Sequence, residues 1–432
     1  MTYTLTSSDL DPTLVERFLG EPTLTILRQA AQLSEAHAWQ LYLVGGPVRD
    51  LLLGLPATDL DLVVRGDALV IAQELASHTH AKLLGHTQFG TATIILENID
   101  LSLDIVTARR ERYEHAAALP IVEPSNLHDD LLRRDFSVNT LAVALNAAIF
   151  ARLYDACNAR ADLQQGLMRV LHDRSFIDDP TRLIRMARIA GRLGFAIEEQ
   201  TLVLVEQALQ IHMLARTTPA RILHELELTL AEAQPGPAFA LLQQLGILRA
   251  IHPALGWNAE LAAALEQLHA GVLEHMPALS ARELADLRLM LLLYPMDAME
   301  RIAFAGYYGL TTQRKRIIED INTLHELRVV LRSTDLADSV LDRSLHGLHD
   351  LALLSARIAE PSPIHEHIQH YRTLLRDVRP ALTGSDLQAM HIPPGPVYRI
   401  LLEGLRAAFL DGVVTSEEEQ RAWVRQNMVS DS

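Results

Sequence analysis

The sequence has one cysteine, Cys157, which excludes an internal disulfide and a cysteine-rich zinc cluster. Lysine is nearly missing too: Lys82 and Lys315 are the only two, and arginine carries the rest of the positive charge. Although 49% of the residues are hydrophobic, no run approaches the length of a membrane span. The opening MTYTLTSSDL has neither a basic start nor an apolar core, so it does not read as a secretion signal. Low-complexity tracts and a clear repeat period are both absent. Positive charge is in deficit overall, 38 Lys and Arg against 54 Asp and Glu, a net charge of −16. That balance argues mildly against a nucleic-acid partner, but many arginines fall between Arg109 and Arg192, which allows a local basic cleft in an acidic protein. A soluble cytoplasmic protein of two to four domains is the expectation for 432 residues of this composition. Nothing in the sequence specifies an oligomeric state.

What is present centres on residues 41–64, LYLVGGPVRDLLLGLPATDLDLVV. Residues 41–44 form a short apolar run and a candidate buried strand. Gly45 and Gly46 break it, Pro47 suits the first turn of a helix, and Gly54 is placed to stop that helix. Residues 59–64 then read as a second strand, whose alternation puts Asp59 and Asp61 on one face and Leu60 and Leu62 on the other. Two neighbouring carboxylates need a compensating cation, and a few hard oxygen ligands suit Mg²⁺. The Gly-Gly turn offers backbone N–H groups beside a helix N-terminus as a seat for phosphate. Arg49 could add a bidentate contact. Each feature alone has an ordinary alternative: an Asp-x-Asp is commonly a turn or solvated loop, and a Gly-Gly commonly just a turn. The spacing is not the dinucleotide-binding G-x-G-x-x-G.

Together, strand, Gly-Gly, Arg-Asp helix and Asp-x-Asp strand resemble the signature of nucleotidyltransferases of the DNA polymerase β superfamily. Within it, GGPVRDLLLG followed by DLDLVV is similar to class II tRNA nucleotidyltransferases and bacterial poly(A) polymerases. The resemblance is strong over residues 40–230 and weaker beyond. It implies an α/β N-terminal head with a mixed five-stranded sheet, followed by an all-α neck, body and tail. The expected boundaries are 1–155 for the head, 156–235 for the neck, 236–360 for the body and 361–432 for an RNA-binding tail.

Pattern and resemblance together set out the rest of the chain. Residues 11–38 read as one helix, and Asp67 caps another that runs to about Thr79. Strands are expected at 82–84, 91–96 and 101–106, the last carrying Asp104 as a third metal-site carboxylate or a strand-end cap. By resemblance, Arg109 faces triphosphate. Residues 113–132 read as a mobile loop ending in a short helix. Arg133-Arg134-Asp135-Phe136 followed by Asn139 resembles the family's second motif. There Asp135 would accept from ribose hydroxyls, Arg134 would reach phosphate, and Asn139 would serve the sugar or order the loop. The bland alternative is a charged helix start capped by Asp135. A hairpin follows at 141–145 and 149–154, and Asp162 and Arg169 are expected to brace head and neck.

Residues 176–195, FIDDPTRLIRMARIAGRLGF, resemble the nucleotide-selecting motif, whose usual form is Glu-Asp-x-x-Arg; here Asp178 takes the first position. Asp179, Arg182 and Arg185 are the nucleotide-binding candidates, with Arg188 and Arg192 continuing the helical spacing. A carboxylate only accepts and a guanidinium only donates. Asp179 and Arg182 would therefore suit the amino group and ring acceptor of cytosine or adenine and reject guanine and uracil. Residues 219–230 resemble the last motif, a helix in which Arg221 and Glu225 pair at i,i+4. The histidines at 365, 367 and 370 lack the spacing of H-E-x-x-H and read as a solvated helix start. His128-Asp129 and His349-Asp350 lack the further ligands of a metal phosphohydrolase.

The implied reaction is attack of an RNA 3′-hydroxyl on the α-phosphate of ATP or CTP, with Mg²⁺ held by Asp59 and Asp61. The implied product is CCA, or its terminal A, at the 3′ end of tRNA. The alternatives are CC-only addition, poly(A) synthesis and, in a different class, a non-catalytic nucleotide- or RNA-binding module.

Overall fold

In the computed structural model, residues 4–56, 60–86, 90–97, 101–271 and 276–428 are described. They fall into two compact units: residues 1–225 with 237–251, and residues 226–236 with 252–432. No described helix is long and apolar enough to cross a membrane.

The first unit opens with β1 (Thr6–Asp9), α1 (Pro12–Leu19) and α2 (Glu21–Ala36). The single helix expected over 11–38 is thus two, because Gly20 at φ +71° turns the chain between them. Next come β2 (Gln40–Val44), α3 (Gly46–Leu53), β3 (Leu60–Arg65) and α4 (Ala68–Thr79). Gly54 ends α3 in the left-handed conformation, and Asp67 caps α4 by accepting from the Leu69 N–H at 2.9 Å. Both boundaries are where the sequence placed them. Strands β4 (Lys82–His86), β5 (Thr91–Leu96) and β6 (Leu101–Thr107) follow.

The loop expected over 113–132 ends in the expected short helix, α5 (Leu127–Leu132), but it also contains a strand, β8 (Ile121–Pro124), which pairs with β7 (Arg109–Arg112) just before the loop. Alternation along β7 turns Arg109 and Glu111 inward and Arg110 and Arg112 outward, which the prolines and lack of helical period concealed. The expected hairpin is β9 (Leu141–Ala144) and β10 (Arg152–Asp155).

The sheet is mixed, as expected, but has eight strands in the order β1-β10-β9-β2-β3-β6-β5-β4. The five strands read from the sequence form one side of it. The β9–β10 hairpin adds along β2, and β1 then covers the edge of β10. All pairs are antiparallel except β3 with β6. Fully buried Leu41, Leu43, Leu62, Ile94, Leu103 and Ile105 build the sheet's interior, and α2 and α4 pack on it through Leu24, Leu27, Ile71 and Leu75.

After β10 come α6 (Ala159–Gln165), β11 (Leu167–Met168), α7 (Ser175–Asp178), α8 (Arg182–Leu193), β12 (Ala196–Ile197), α9 (Glu199–Gln210) and α10 (Pro219–Ala231). Arg169 bonds both Asp162, at 3.1 Å, and Glu198, at 3.1 Å, and Ser137 Oγ donates to Asp162 at 2.5 Å. This knot ties the strand-rich part to the helices after it.

Among its described residues, the secondary structure of the second unit is helical. Its core is drawn from residues such as Leu287, Met290, Phe304, Ile317, Ile321, Leu353 and Leu354. Its last helices, Pro396–Leu410 and Glu417–Asn427, close a cluster of Leu387, Leu401, Leu405 and Val424. Of the histidines at the Ile364–His370 helix, His370 bonds Asp338 at 2.8 Å and His365 and His367 bond backbone carbonyls.

Candidate active site

A cleft of about 510 Å³ opens in the first unit between the end of β2, the start of α3, the turn before β9, and helices α8 and α10. Eight arginines line it (49, 133, 134, 182, 185, 188, 192 and 221) against five carboxylates (Asp50, Asp61, Glu111, Asp135 and Asp179). A chain of net charge −16 therefore presents a locally cationic pocket, the setting an anionic ligand requires.

Strand β3 delivers Asp61 to this cleft. Parallel pairing sets Asp61 opposite Asp104 of β6, so both side chains leave the same face of the sheet while Leu60, Leu62, Leu103 and Ile105 are buried on the other. Asp104 accepts from Thr93 Oγ1 at 2.6 Å and does not itself line the cleft. Asp59 lies outside the described residues, and among those described no cluster of three or more potential ligands is complete. Two register-matched, partly exposed carboxylates remain a hard, few-oxygen donor set of the kind Mg²⁺ takes.

The glycine pair acts differently from expectation. Gly45 does not line the cleft, and its N–H donates to Leu141 O at 3.0 Å, so it is no bare donor for phosphate. Its value is space: at φ +74°, a Cβ there would stand 2.4 Å from Arg134 Nη1. Gly46, the first residue of α3, does face the cleft.

Arg49 is almost fully buried and its fork is engaged. Nε and Nη2 donate to Asp50 at 2.8 and 3.0 Å, and Nη1 donates to Asn139 Oδ1 at 2.7 Å. Asn139 Nδ2 in turn donates to Asp135 Oδ1 at 2.9 Å, and the same oxygen accepts the Phe136 N–H at 2.9 Å. Asp135 Oδ2 receives only a long contact from Arg185, 3.4 Å, and keeps lone-pair capacity. Burial by itself would raise the pKa of Asp135, but the Arg185 charge and the Asn139 amide outweigh it and keep the group ionised. Asp135 is therefore a cleft carboxylate rather than a helix cap.

Arg134 faces the cleft and donates to the wholly buried Asp130 at 3.2 Å, while Arg133 bridges Asp130 and Glu111, both at 2.9 Å. Arg109 is not in the cleft. It lies against Glu111 at 3.2 Å and Thr91 at 3.5 Å, and burial, followed by the nearby Arg133 charge, depresses its pKa. Glu111 and Tyr113 were missed in the sequence. Glu111 gathers Arg109, Arg133 and the Tyr113 hydroxyl, and burial pushes the Tyr113 phenol up to about 12. The alternating RRER of β7, which sets Glu111 on the face of Arg109, was the available signal.

The residues expected to select the base are brought together. Asp178 ends α7, held by Arg174 at 3.0 Å, and does not line the cleft. Asp179 does. Its Oδ1 accepts from Thr181 N–H at 3.1 Å, Thr181 Oγ1 at 2.7 Å and Arg221 Nη2 at 2.7 Å, which leaves Oδ2 as the open acceptor among the described residues. Arg182 is fastened by Ser175 Oγ at 2.8 Å and the Arg133 carbonyl at 3.2 Å. The anticipated i,i+4 pair on α10 is not formed. Arg221 reaches Asp179, at the end of α7, instead, and Glu225 holds Arg185 at 2.6 Å and Arg188 at 3.4 Å, both of α8. Asp135 and Glu225 raise the pKa of Arg185 against the opposing effect of burial.

Residues 41–169 match a family model described as the poly A polymerase head domain, and residues 194–257 match one described as a probable RNA and SrmB- binding site of polymerase A. The chain is 34% identical, over 95% of its length, to an A-adding tRNA nucleotidyltransferase of Geobacter sulfurreducens, and spans 48% of that protein. It is 30% identical, over 96% of its length, to an A-adding tRNA nucleotidyltransferase of Halalkalibacterium halodurans, and spans 94% of that one. The Thermotoga maritima CCA-adding enzyme, solved in complex with tRNA, superposes with a TM-score of 0.76 at 27% identity, covering 98% of this chain and 99% of that one. A near full-length relative and a matching head model, on a mixed sheet that carries Asp61 into an arginine-lined cleft, make this chain a member of the CCA-adding and A-adding tRNA nucleotidyltransferase family, within the polymerase β-like nucleotidyltransferases.

Proposed function

We propose that this chain adds nucleotides, without a template strand, to the 3′ end of tRNA, using ATP and CTP. The observation that carries the reading is the Asp179–Arg182 pair, fastened on its outer atoms and open toward the cleft that Asp61 lines. Asp179 Oδ2 is an acceptor for the exocyclic amine of adenine or cytosine, and Arg182 is a donor for the adjacent ring acceptor. Guanine and uracil would set a carbonyl against the carboxylate and a ring N–H against the guanidinium, leaving both protein groups without a partner.

In the reaction, the RNA 3′-hydroxyl oxygen bonds to the α-phosphorus and the α–β bridge breaks, releasing pyrophosphate. Arg134 and Gly46, which line the cleft, would hold the triphosphate, and Asp135 Oδ2 would accept from the ribose. Asp61 and Asp104, with Asp59, would hold Mg²⁺, which when bound supplies the charge that acidifies the attacking hydroxyl and stabilises the leaving oxygen. The division into head (1–155), neck (156–235), body (236–360) and RNA-binding tail (361–432), and a cytoplasmic setting, belong to the same proposal.

Whole CCA synthesis requires the cleft to take CTP and then ATP, and addition of the terminal A requires ATP alone; both would use the same base-reading residues. Long matches to two A-adding relatives support the second product. The deciding experiment offers tRNA lacking CCA and tRNA ending in CC, each with CTP and ATP. Addition of CC from CTP and then one A from ATP to the first, and of one A to the second, identifies CCA addition. Extension of the CC-ending substrate alone identifies A addition, and extension of the CCA-lacking substrate alone identifies CC addition. Repeated addition of A to both identifies poly(A) synthesis. Extension of neither overturns the proposal.

A further inference from the structure

Arg49 and Asp50 are consecutive residues of α3, and side chains at i and i+1 do not normally meet on a helix. Here they form a two-point ion pair with side chains only 3% and 11% exposed. Buried ion pairs contribute little net stability, and a better-attested use is to specify a geometry. The geometry at stake is one step away. Asn139 has an acceptor end and a donor end, and it sits between a pure donor, Arg49, and a pure acceptor, Asp135. Only one orientation of the amide satisfies both. Arg49 can impose it only while its own fork is held, and Asp50 holds that fork. The Asp135 oxygen that Asn139 engages is thereby filled, and the other, on a carboxylate that lines the cleft, has only the 3.4 Å Arg185 contact.

We propose that Asp50 is a positioning residue for sugar recognition: through Arg49 and Asn139 it orients the Asp135 carboxylate and so sets the preference for ribonucleotides over deoxyribonucleotides. This rests on the reading of Asp135 as the ribose acceptor. Asp50 does not touch the sugar; it acts through two intermediates. Asp50→Asn keeps the shape but turns an amide N–H toward one guanidinium N–H, so the two-point pair is broken. Arg49→Lys keeps the charge but removes the planar fork that bridges Asp50 and Asn139.

The test compares ATP with 2′-deoxy-ATP on the full-length protein, both as kcat/KM for extension of tRNA ending in CC and as equilibrium binding by calorimetry. Asp50→Asn, Arg49→Lys and the double variant are measured, with thermal melting alongside. Each single variant is expected to lose about tenfold of the ATP-over-dATP preference, the scale of one charge-assisted hydrogen bond. The double variant is expected to lose no more than the worse single, because both act through one chain of contacts. A role in stability alone would lower melting and depress both nucleotides equally, and that result overturns the proposal. If Asp50→Asn does not fold, Arg49→Lys carries the same comparison. If the wild-type protein extends no tRNA but binds ATP over dATP with this variant dependence, the enzymatic reading fails and the positioning role stands. Wild-type binding without sugar preference overturns the positioning role.

Discussion

Both units of the molecule bury arginine, and they complete its hydrogen bonds in opposite ways. In the second unit Arg301 is fully buried, with Nη1 donating to the Tyr294 carbonyl at 2.8 Å and to that of Met296, and Nε to Asn322 Oδ1 at 2.7 Å. Arg328 closes the same cluster on Glu360, which also receives the Tyr294 hydroxyl at 2.9 Å. His325 lies between the two guanidiniums, 3.1 Å from Arg301 and 3.2 Å from Arg328. Those partners come from the chain just before α15 (Ala298–Tyr307), from α16 (Thr312–Leu331), and from Glu360 at the end of the helix Asp350–Ala359, separated in sequence from α10 by α11 (Gly236–Gln244), α12 (Ile247–Ile251), α13 (Ala259–Ala270) and α14 (Ala281–Leu293). In the cleft of the first unit, by contrast, Asp135 and Asp179 are each held firmly by one oxygen, while the other has only a long Arg185 contact, 3.4 Å, in Asp135 and is open among the described residues in Asp179. A closed network fixes a fold; a network with open acceptors is ready for a ligand. The difference lies in unfilled lone pairs rather than in residue types.

Four changes would break or sharpen that contrast. Replacing Asp61 with Asn should have the largest effect, a loss of nucleotide incorporation by three orders of magnitude or more, on the order of several kcal/mol of charge stabilisation. Denaturant unfolding of the variant should match the wild type, since Asp61 is partly exposed at the cleft floor. Incorporation at near wild-type rate would move the reacting centre elsewhere.

Arg301→Ala should do the reverse, costing roughly 3–5 kcal/mol of stability by leaving two buried carbonyls unpaired and a cavity behind. Guanidinium titration measures it, and a change below about 1 kcal/mol would show that the closed network relaxes without its central residue.

Asp179→Ala should relax base choice, lowering the preference for ATP and CTP over GTP and UTP by about one to two orders of magnitude, with a smaller effect on triphosphate affinity. Competition among the four nucleotides reads this out. An unchanged preference would remove Asp179 from base reading.

The mildest effect is one of pH. Burial, then the charges of Arg301 and Arg328, depress the His325 pKa to about 3, from an ordinary value of 6.5. Below pH 6.5 the unfolded chain takes up a proton that the folded chain refuses. Stability from this residue is therefore full above that pH and declines as pH falls toward 3. The urea midpoint should drop between pH 7 and pH 5, and His325→Gln, which keeps a donor and an acceptor without titrating, should flatten the drop. An equal drop in both proteins would assign the effect to other groups.

The glycines, prolines and alternating leucines of residues 41–64 made β2, α3 and β3 legible, because turn and strand chemistry there is local. The Asp67 cap was legible for the same reason. The eight-strand sheet was not, since pairing of β1 with β10 joins residues separated by more than 140 positions and leaves no periodic mark on TSSD. The α1–α2 break was missed because the apolar spacing continues through Gly20, whose positive φ alone turns the chain. In the site, Arg49 was recognised but not its engagement with Asp50, because helix geometry does not predict contact between adjacent residues. Arg109 was expected at the triphosphate; its ion pair with Glu111, a residue of the cleft, was not legible.

Local chemistry in the sequence determined which elements form around the glycine turn, which residue types could bind metal, phosphate and base, and the family those motifs resemble. Partner choice was decided only by tertiary structure. Arg221 had a carboxylate one helical turn away in Glu225 and another far along the chain in Asp179, and folding chose the distant one. The physical reason is that a guanidinium bonds whatever acceptor packing brings within about 3 Å, and packing is a property of the whole chain. The open oxygens of Asp135 and Asp179 are therefore facts of the fold, although the residues that carry them were visible in the sequence.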